Sequence, residues 1–458
     1  MPGIRKRLKI KGAKRMINST SDRMRTGSVN GMYLPKNFVN SKINRLKKFI
    51  RKGMEIECYF CKNFLIVKIY KNLVDAVVVT LQKIFTENRY ADKAIEYLFK
   101  ENPKWGARDR RFVAETIYDV VRQFRLLKEL CGNENYYHIV GTYLLLRDYD
   151  LPVWNEFASI DKKHIQQKIE EVKSNRAIFQ SIPDWLDELG FAELSYKWNK
   201  EIEALNNQAA VVLRANVLKT STKNLQTQLS QSGIETESLK GSEALILKER
   251  KNIFTSPLFK QGLFEIQDFS SQHVAPFLRA EKNMCIVDAC AGAGGKALHI
   301  AALTQNKSKI IAMDVEEKKL AELQRRAGRA GAKIETKLIS SEKTIKQLHN
   351  TADRLLLDVP CSGLGVIKRN PDAKWKLSLE RINELKKIQA QILQEYSAML
   401  KVGGLLVYAT CSILPSENQN QAQKFLADNK NFSFIEDKTI YPSEGFDGFY
   451  MCLMTRDA

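Results

Sequence analysis

Four apolar runs that each stop at a polar residue constrain this chain more than any other feature. Cys285-Ile-Val ends in Asp288, Ile310-Ile-Ala-Met in Asp314, Leu355-Leu-Leu in Asp358, and Leu405-Leu-Val-Tyr-Ala in Thr410-Cys411. The stretches between them have helical spacing, and the clearest sets Leu379, Ile382, Leu385, Ile392, Tyr396 and Met399 on one side. Unbroken apolar strands separated by helices are what a parallel sheet covered on both faces requires. In such sheets ligands bind beyond the carboxyl ends of the strands, where these four polar residues converge. The expected fold is α/β, with a doubly wound, parallel-rich sheet over residues 281–458.

The preceding residues divide into three further stretches. Residues 1–66 are polar and basic, an extension expected to be flexible, with few apolar periodicities before Phe64-Leu-Ile-Val. Residues 67–205 read as an all-helical module. Leu73, Val74, Val77, Val78, Leu81 and Phe85 follow one buried face, and Phe112, Val113, Ile117, Val120, Val121 and Phe124 repeat it over 108–127. Pro183-Asp-Trp starts another short helix. Residues 206–280 change period, with strands expected at 211–217 and 234–239, a helix at 222–231, and strand character at Phe254 and 262–268.

Charge narrows the partner. The 458 residues carry 73 Lys and Arg against 52 Asp and Glu, a net +21. Residues 1–52 hold 16 of the basic residues and one acid, Asp22, so they carry +15 and the other 406 carry +6. Such an excess favours a polyanion through counterion release. No apolar run approaches the ~18 residues that span a bilayer, so no membrane partner is expected and the protein reads as cytoplasmic. The eight cysteines, without a secretory signal, do not make a disulfide framework. Cys58-x-x-Cys61 lacks a second ligand pair at metal spacing, and no metal is expected. The five histidines are scattered and read as packing or surface residues.

Asp288-Ala-Cys-Ala-Gly-Ala-Gly-Gly-Lys296 is a small-residue turn between a strand and a helix. Its glycines let backbone approach a ligand, and the helix N-terminus offers free N–H groups to an anion. Asp314, 18 residues past Lys296, is placed to accept bonds from ribose hydroxyls. A nucleoside-bearing cofactor is implied. Gly292-x-Gly294-x-x-Ala297 also satisfies the loose dinucleotide pattern, so a nicotinamide oxidoreductase and a methyl-donor enzyme stand level here. Asp358-Val-Pro-Cys361-Ser and Ala409-Thr-Cys411-Ser then put two thiols and a carboxylate just past two strand ends. Buried cysteine is ordinarily inert packing. Two cysteines in polar turns beside a cofactor loop suit nucleophilic chemistry instead.

With these residues in place, the sequence resembles the RsmB-like RNA (cytosine-5)-methyltransferases, bacterial relatives of the NSUN enzymes, over about residues 70–458. The resemblance is carried by the turn at 288–296, Asp314, Asp358-Val-Pro-Cys-Ser, Lys368-Arg-Asn-Pro-Asp-Ala-Lys-Trp375, Tyr408-Ala-Thr-Cys-Ser, Leu414-Pro-x-Glu-Asn418 and Gly445-Phe-Asp-Gly-Phe449. Leu213-Arg-Ala-Asn216 and Gly262-x-Phe-x-Ile-Gln-Asp-x-Ser-Ser-Gln272 match upstream.

The resemblance implies a Rossmann-like class I methyltransferase domain, preceded by a small RRM-like α+β part at 206–280 and a NusB-like helical RNA-binding domain at 67–205. It implies S-adenosyl-L-methionine as cofactor, held by Cys290, Ala291, Gly292, Ala293, Gly294, Gly295, Lys296, Asp314 and Asp358. Cys411 matches the nucleophile, Cys361 the cysteine that helps release product, and Asp358 a residue at the target base. Lys368, Arg369, Trp375, Arg214 and Asn216 are expected to hold RNA. The implied partner is 16S rRNA or an early small-subunit assembly intermediate, met by a monomer. A tRNA substrate and a non-catalytic ribosome-assembly role are the rival readings, besides the oxidoreductase.

Two departures qualify the match. The turn reads Ala-Gly-Ala-Gly-Gly-Lys where many relatives have Ala-Ala-Pro-Gly-Gly-Lys, and Leu338-Ile-Ser340-Ser341 lacks the acid that relatives place near the adenine. Altered adenine contacts are expected. The basic extension matches nothing in the family and is expected to be a translated upstream segment, with mature protein starting near Met54 or later.

Overall fold

The computed structural model describes residues 68–457, so the basic extension, the Cys58 and Cys61 pair and the run from Phe64 lie outside the described residues. Residues 71–205 contain helices and no strand. The Lys71–Thr86 helix buries Leu73, Val74, Val77, Val78 and Leu81, as its spacing requires. The helix expected over 108–127 is broken at Gln123 (φ −109°, ψ 19°) into Ala107–Arg122 and Phe124–Cys131. The break lets Phe124 stack on Phe85, with centroids 3.7 Å apart, while Leu127 and Leu130 remain fully buried.

A four-stranded antiparallel sheet follows, built from β1 (Val212–Ala215), β2 (Thr236–Ser238), β3 (Ala244–Leu247) and β4 (Phe264–Ile266) in the order β2-β3-β1-β4. The Thr222–Gln231 helix covers it, packing Leu225 and Leu229 on Leu213, Leu245 and Phe264. Phe254 belongs to no strand and is exposed, and β3 occupies a short run that lacks period-2 alternation.

The catalytic-side sheet comprises β5 (Cys285–Asp288), β6 (Lys309–Asp314), β7 (Glu335–Leu338), β8 (Ala352–Asp358), β9 (Leu400–Thr410), β10 (Phe432–Ile440) and β11 (Phe449–Arg456). Its order is β10-β11-β9-β8-β5-β6-β7, with β5 to β9 parallel and β11 antiparallel between β9 and β10. The chain leaves β5 for β6 on one side and returns to β8 on the other. This reversal of strand order opens a crevice at the carboxyl end of β5. The Leu379–Tyr396 helix covers one face through Ile382, Leu385, Gln389, Leu393 and Tyr396, whereas Leu379 is exposed and Ile392 half-buried. A buried Gln389 within that stripe answers to the site below.

The helical residues do not stand apart from the sheet. Ile182, Leu186, Trp198, Ile202 and Leu205 share a core with Leu364, Ile367, Ile413 and Leu414, which flank the two cysteine turns. Burying a side chain of this size contributes about 1.5–3 kcal/mol, so this shared core fixes the turns against the helices.

Candidate active site

Each polar strand end of the sequence reading reaches the same crevice. Beyond β5, the turn runs to the Gly295–Leu303 helix through Gly294, whose φ of +84° favours glycine, and a Cβ there would strike Leu323. The first N–H groups of this helix have no acceptor within it. Asp314, at the end of β6, accepts from Gly292 N at 2.9 Å through Oδ2 and from Glu316 N at 2.9 Å through Oδ1. It thus fastens the glycine turn to the neighbouring strand. Cys290 packs its sulfur against the sheet core, and burial, followed by the charge of Asp288, pushes its thiol well above the ordinary range.

Lys296 crosses from that turn to β8, where its Nζ donates to Asp358 Oδ2, and it lies 5.0 Å over the Phe449 ring. Burial opposes its charge, but Asp358, aided by Cys411, more than offsets this and raises its pKa. Asp288 is buried with neither oxygen in a hydrogen bond of ordinary geometry. Burial and the adjacent Asp358 push its carboxyl up to about 7. A buried carboxyl at the start of a glycine turn that ends in the first N–H groups of a helix fits a ligand that carries both an ammonium and a carboxylate.

The two thiols come from different strand ends and meet. Cys361 Sγ and Cys411 Sγ are 3.3 Å apart, both half-buried. The hydrogen bond to Cys411, then burial, raise the Cys361 thiol well above its ordinary range. Gly365 N donates to Cys411 O at 2.9 Å and Gly448 N to Gly365 O at 2.8 Å, which tie the second turn to the first and to the segment before β11.

Glu417, which in the sequence is one residue of Leu414-Pro-x-Glu-Asn418, organises both turns. It is fully buried and accepts from Ser362 N at 2.8 Å, from Gln389 Nε2 at 2.9 Å, and from the hydroxyls of Ser362 and Ser412. Donors converging on both oxygens suit an ionised carboxylate. Asn418 extends the tie by donating to Ser412 O at 3.0 Å and accepting from Thr410. The signal available in sequence was an acid and an amide six and seven residues after Cys411, with no hint of their partners.

The five residues expected to hold RNA all have partners within the protein. Arg214 is 2% exposed and donates to Gly295 O at 2.8 Å and to Gln267. Asn216 Nδ2 donates to Gly262 O and Ala330 O, both at 2.8 Å. Lys368 Nζ is spent on Pro442 O and Phe446 O, and Arg369 on Asp268 and Asp447. Trp375 joins the helical core beside Phe85 and Phe124 and donates to Val121 O at 2.8 Å. These side chains hold parts of the protein to one another, because their polar groups are consumed internally.

The sheet order and the crevice define a Rossmann-like fold of the class I methyltransferase kind. The family described as 16S rRNA methyltransferase RsmB/F matches residues 275–451, and its ferredoxin-like domain matches 182–254. Ribosomal RNA small subunit methyltransferase B of Pasteurella multocida is 37% identical over 287 residues, 58% of this chain and 64% of that protein. The probable ribosomal RNA small subunit methyltransferase B of Synechocystis is 32% identical over 400 residues, 77% of this chain and 88% of that protein. The crystal structure of PH0851 superposes with a TM-score of 0.71 at 23% identity, covering 85% of this chain and all of that one, a likeness of fold. The chain belongs to the RsmB/F family of 16S rRNA methyltransferases. Among the described residues no helix is long and apolar enough to cross a membrane, and no cluster of His, Cys, Asp and Glu is arranged to hold a metal.

Proposed function

We propose that this chain transfers the methyl group of S-adenosyl-L-methionine to C5 of a cytosine in 16S rRNA, through a transient bond between Cys411 Sγ and C6 of the base. The observation that carries the reading is the meeting of two thiols, 3.3 Å apart, beside the Lys296–Asp358 pair at the mouth of the glycine turn. The relatives named as small-subunit rRNA methyltransferases supply the substrate class.

Residues 290–296 and Asp314 would hold the cofactor, with Asp288 receiving its ammonium group and the first N–H groups of the Gly295–Leu303 helix its carboxylate. When bound, the cofactor supplies an electrophilic methyl group. Cytosine C5 is a weak nucleophile until a thiolate adds at C6 and converts the ring to an enamine. Such covalent catalysis divides one difficult step into easier ones. Asp358, oriented by Lys296, would bond the N3/N4 edge of the base as charge develops there. After transfer a base removes the C5 proton, the ring electrons return, and the Cys411–C6 bond breaks. Cys361, kept protonated, would donate its S–H hydrogen bond to the departing sulfur. The base must leave its stack to reach both sulfur and methyl, which single-stranded RNA permits at lowest cost.

Bisulfite sequencing of total RNA from a deletion strain tests the reading. One 16S rRNA cytosine should lose its mark and regain it on complementation. Loss confined to a tRNA, or no loss with the gene absent, would overturn the assigned substrate or the activity.

A further inference from the structure

The motifs around Arg214, Asn216 and Gly262 take no part in the chemistry above, yet Arg214 reaches the cofactor turn directly and Glu265 reaches it through Arg326. Arg326, on the Glu317–Ala330 helix, donates from Nη1 to Ala293 O at 2.8 Å. Its Nε and Nη2 donate to Glu265 Oε2 at 3.2 and 3.0 Å, and Arg329 Nη2 donates to Glu265 Oε1 at 2.6 Å. Glu265 is 3% exposed and belongs to β4 of the small sheet. From β1 of the same sheet, Arg214 donates to Gly295 O at 2.8 Å. Two guanidinium groups anchored on the small sheet therefore grip carbonyls on either side of Gly294.

The base on which they stand is rigid. Asn216 bridges Gly262 O and Ala330 O, and Lys219 Nζ bridges Gln261 O at 2.8 Å and Arg329 O at 2.6 Å. Gly262 (φ +71°) sits so close to the Arg329 carbonyl that any Cβ would collide with it. The small sheet and the Glu317–Ala330 helix are thus locked backbone to backbone.

We infer that the small sheet is a positioning device for the methyl donor, with Arg326 and Arg214 holding the peptide planes of the glycine turn in their ligand-binding orientation. The inference rests on the proposed reading of that turn as the donor site. A peptide is planar, so fixing the carbonyl of Ala293 fixes the N–H of Gly294, which closes the turn on Ala291 O at 2.9 Å, and fixing that of Gly295 fixes the N–H of Lys296 at the start of the helix. The turn needs such restraint. It contains Gly292, Gly294 and Gly295, so its free backbone would lose much entropy on binding. A restraint anchored in the ion pair with Glu265 lowers that cost before the donor arrives.

The test uses the full chain. Arg326→Met should raise the calorimetric Kd and the KM for S-adenosyl-L-methionine about ten-fold. At saturating donor its kcat and its affinity for RNA should stay within about two-fold. Arg326→Lys, which can reach Ala293 O but cannot also fork to Glu265, should fall between the two. A folded Arg326→Met with wild-type donor affinity, or one losing kcat and RNA affinity equally, would overturn the inference. Should Arg326→Met fail to fold, Glu265→Gln, which weakens the anchor and leaves both arginines, is read by the same criteria. Failure of the wild-type chain to bind the donor would instead overturn the functional reading.

Discussion

Cys361 leaves β8 and Cys411 leaves β9, yet their sulfur atoms lie 3.3 Å apart, a distance at which one thiol donates to the other. In the proposed mechanism the two thiols divide the labour of a reversible covalent reaction. Cys411→Ser should reduce methyl transfer to RNA below detection, because addition at C6 is lost. Cys361→Ser should retain addition and methyl transfer but release product slowly. Denaturing gels with labelled RNA check this: a long-lived protein–RNA band should appear with Cys361→Ser and be absent with Cys411→Ser.

The distance between the thiols depends on Glu417, whose carboxylate binds both cysteine turns through Ser362 and Ser412. Glu417→Gln keeps the shape but turns one acceptor into a donor that faces donors. Leaving a buried donor without an acceptor costs about 1–3 kcal/mol, so urea unfolding should show a loss of about 2 kcal/mol. Turnover should drop at temperatures where the variant remains folded.

Asp288 gives the protein a pH-dependent stability. Its carboxyl sits near 7 in the folded chain, above its ordinary value, because it is buried and faces Asp358. Below ~4 both folded and unfolded chains hold the proton. From there to 7 only the folded chain keeps it, so this contribution falls as pH rises through that window and is gone above it. Asp288→Asn removes the effect. Denaturant titrations at pH 5 and pH 8 should show the variant gaining on wild type by about 2 kcal/mol at the higher pH.

The parts of the fold that could be read from sequence were those where burial leaves a pattern. β5, β6, β8 and β9 are covered on both faces, so their apolar runs are continuous and their polar ends mark the crevice. β7, at the sheet edge, reads Glu-Thr-Lys-Leu and carries no such pattern. In the glycine turn, the G-x-G-x-x-A spacing suited a nicotinamide enzyme equally, and the cysteine turns together with the family match decide the matter. Lys368, Arg369 and Trp375 were ambiguous in sequence because cation and aromatic content serve an internal seam as well as an RNA surface. Only the partners Asp268, Asp447, Pro442 and Val121 distinguish the two uses.

That seam makes its own prediction. Trp375 fills the space beside Phe85 and Phe124 at the junction with the helical residues. Trp375→Ala should cost about 3–5 kcal/mol of stability through the cavity it leaves. Below its lowered melting temperature, filter binding should find RNA affinity within about two-fold of wild type. A large loss of affinity in the folded variant would return Trp375 to the RNA surface.

The sulfur of Cys411 should carry the bond to the base, and mapping the trapped adduct identifies the residue that does. The Cys361→Ser protein, incubated with S-adenosyl-L-methionine and 16S rRNA, is digested with protease and nuclease and the cross-linked peptide sequenced by mass spectrometry. The account predicts a methylated cytidine attached to the peptide that contains Cys411. An attachment at any other residue, or turnover without an adduct, would contradict it.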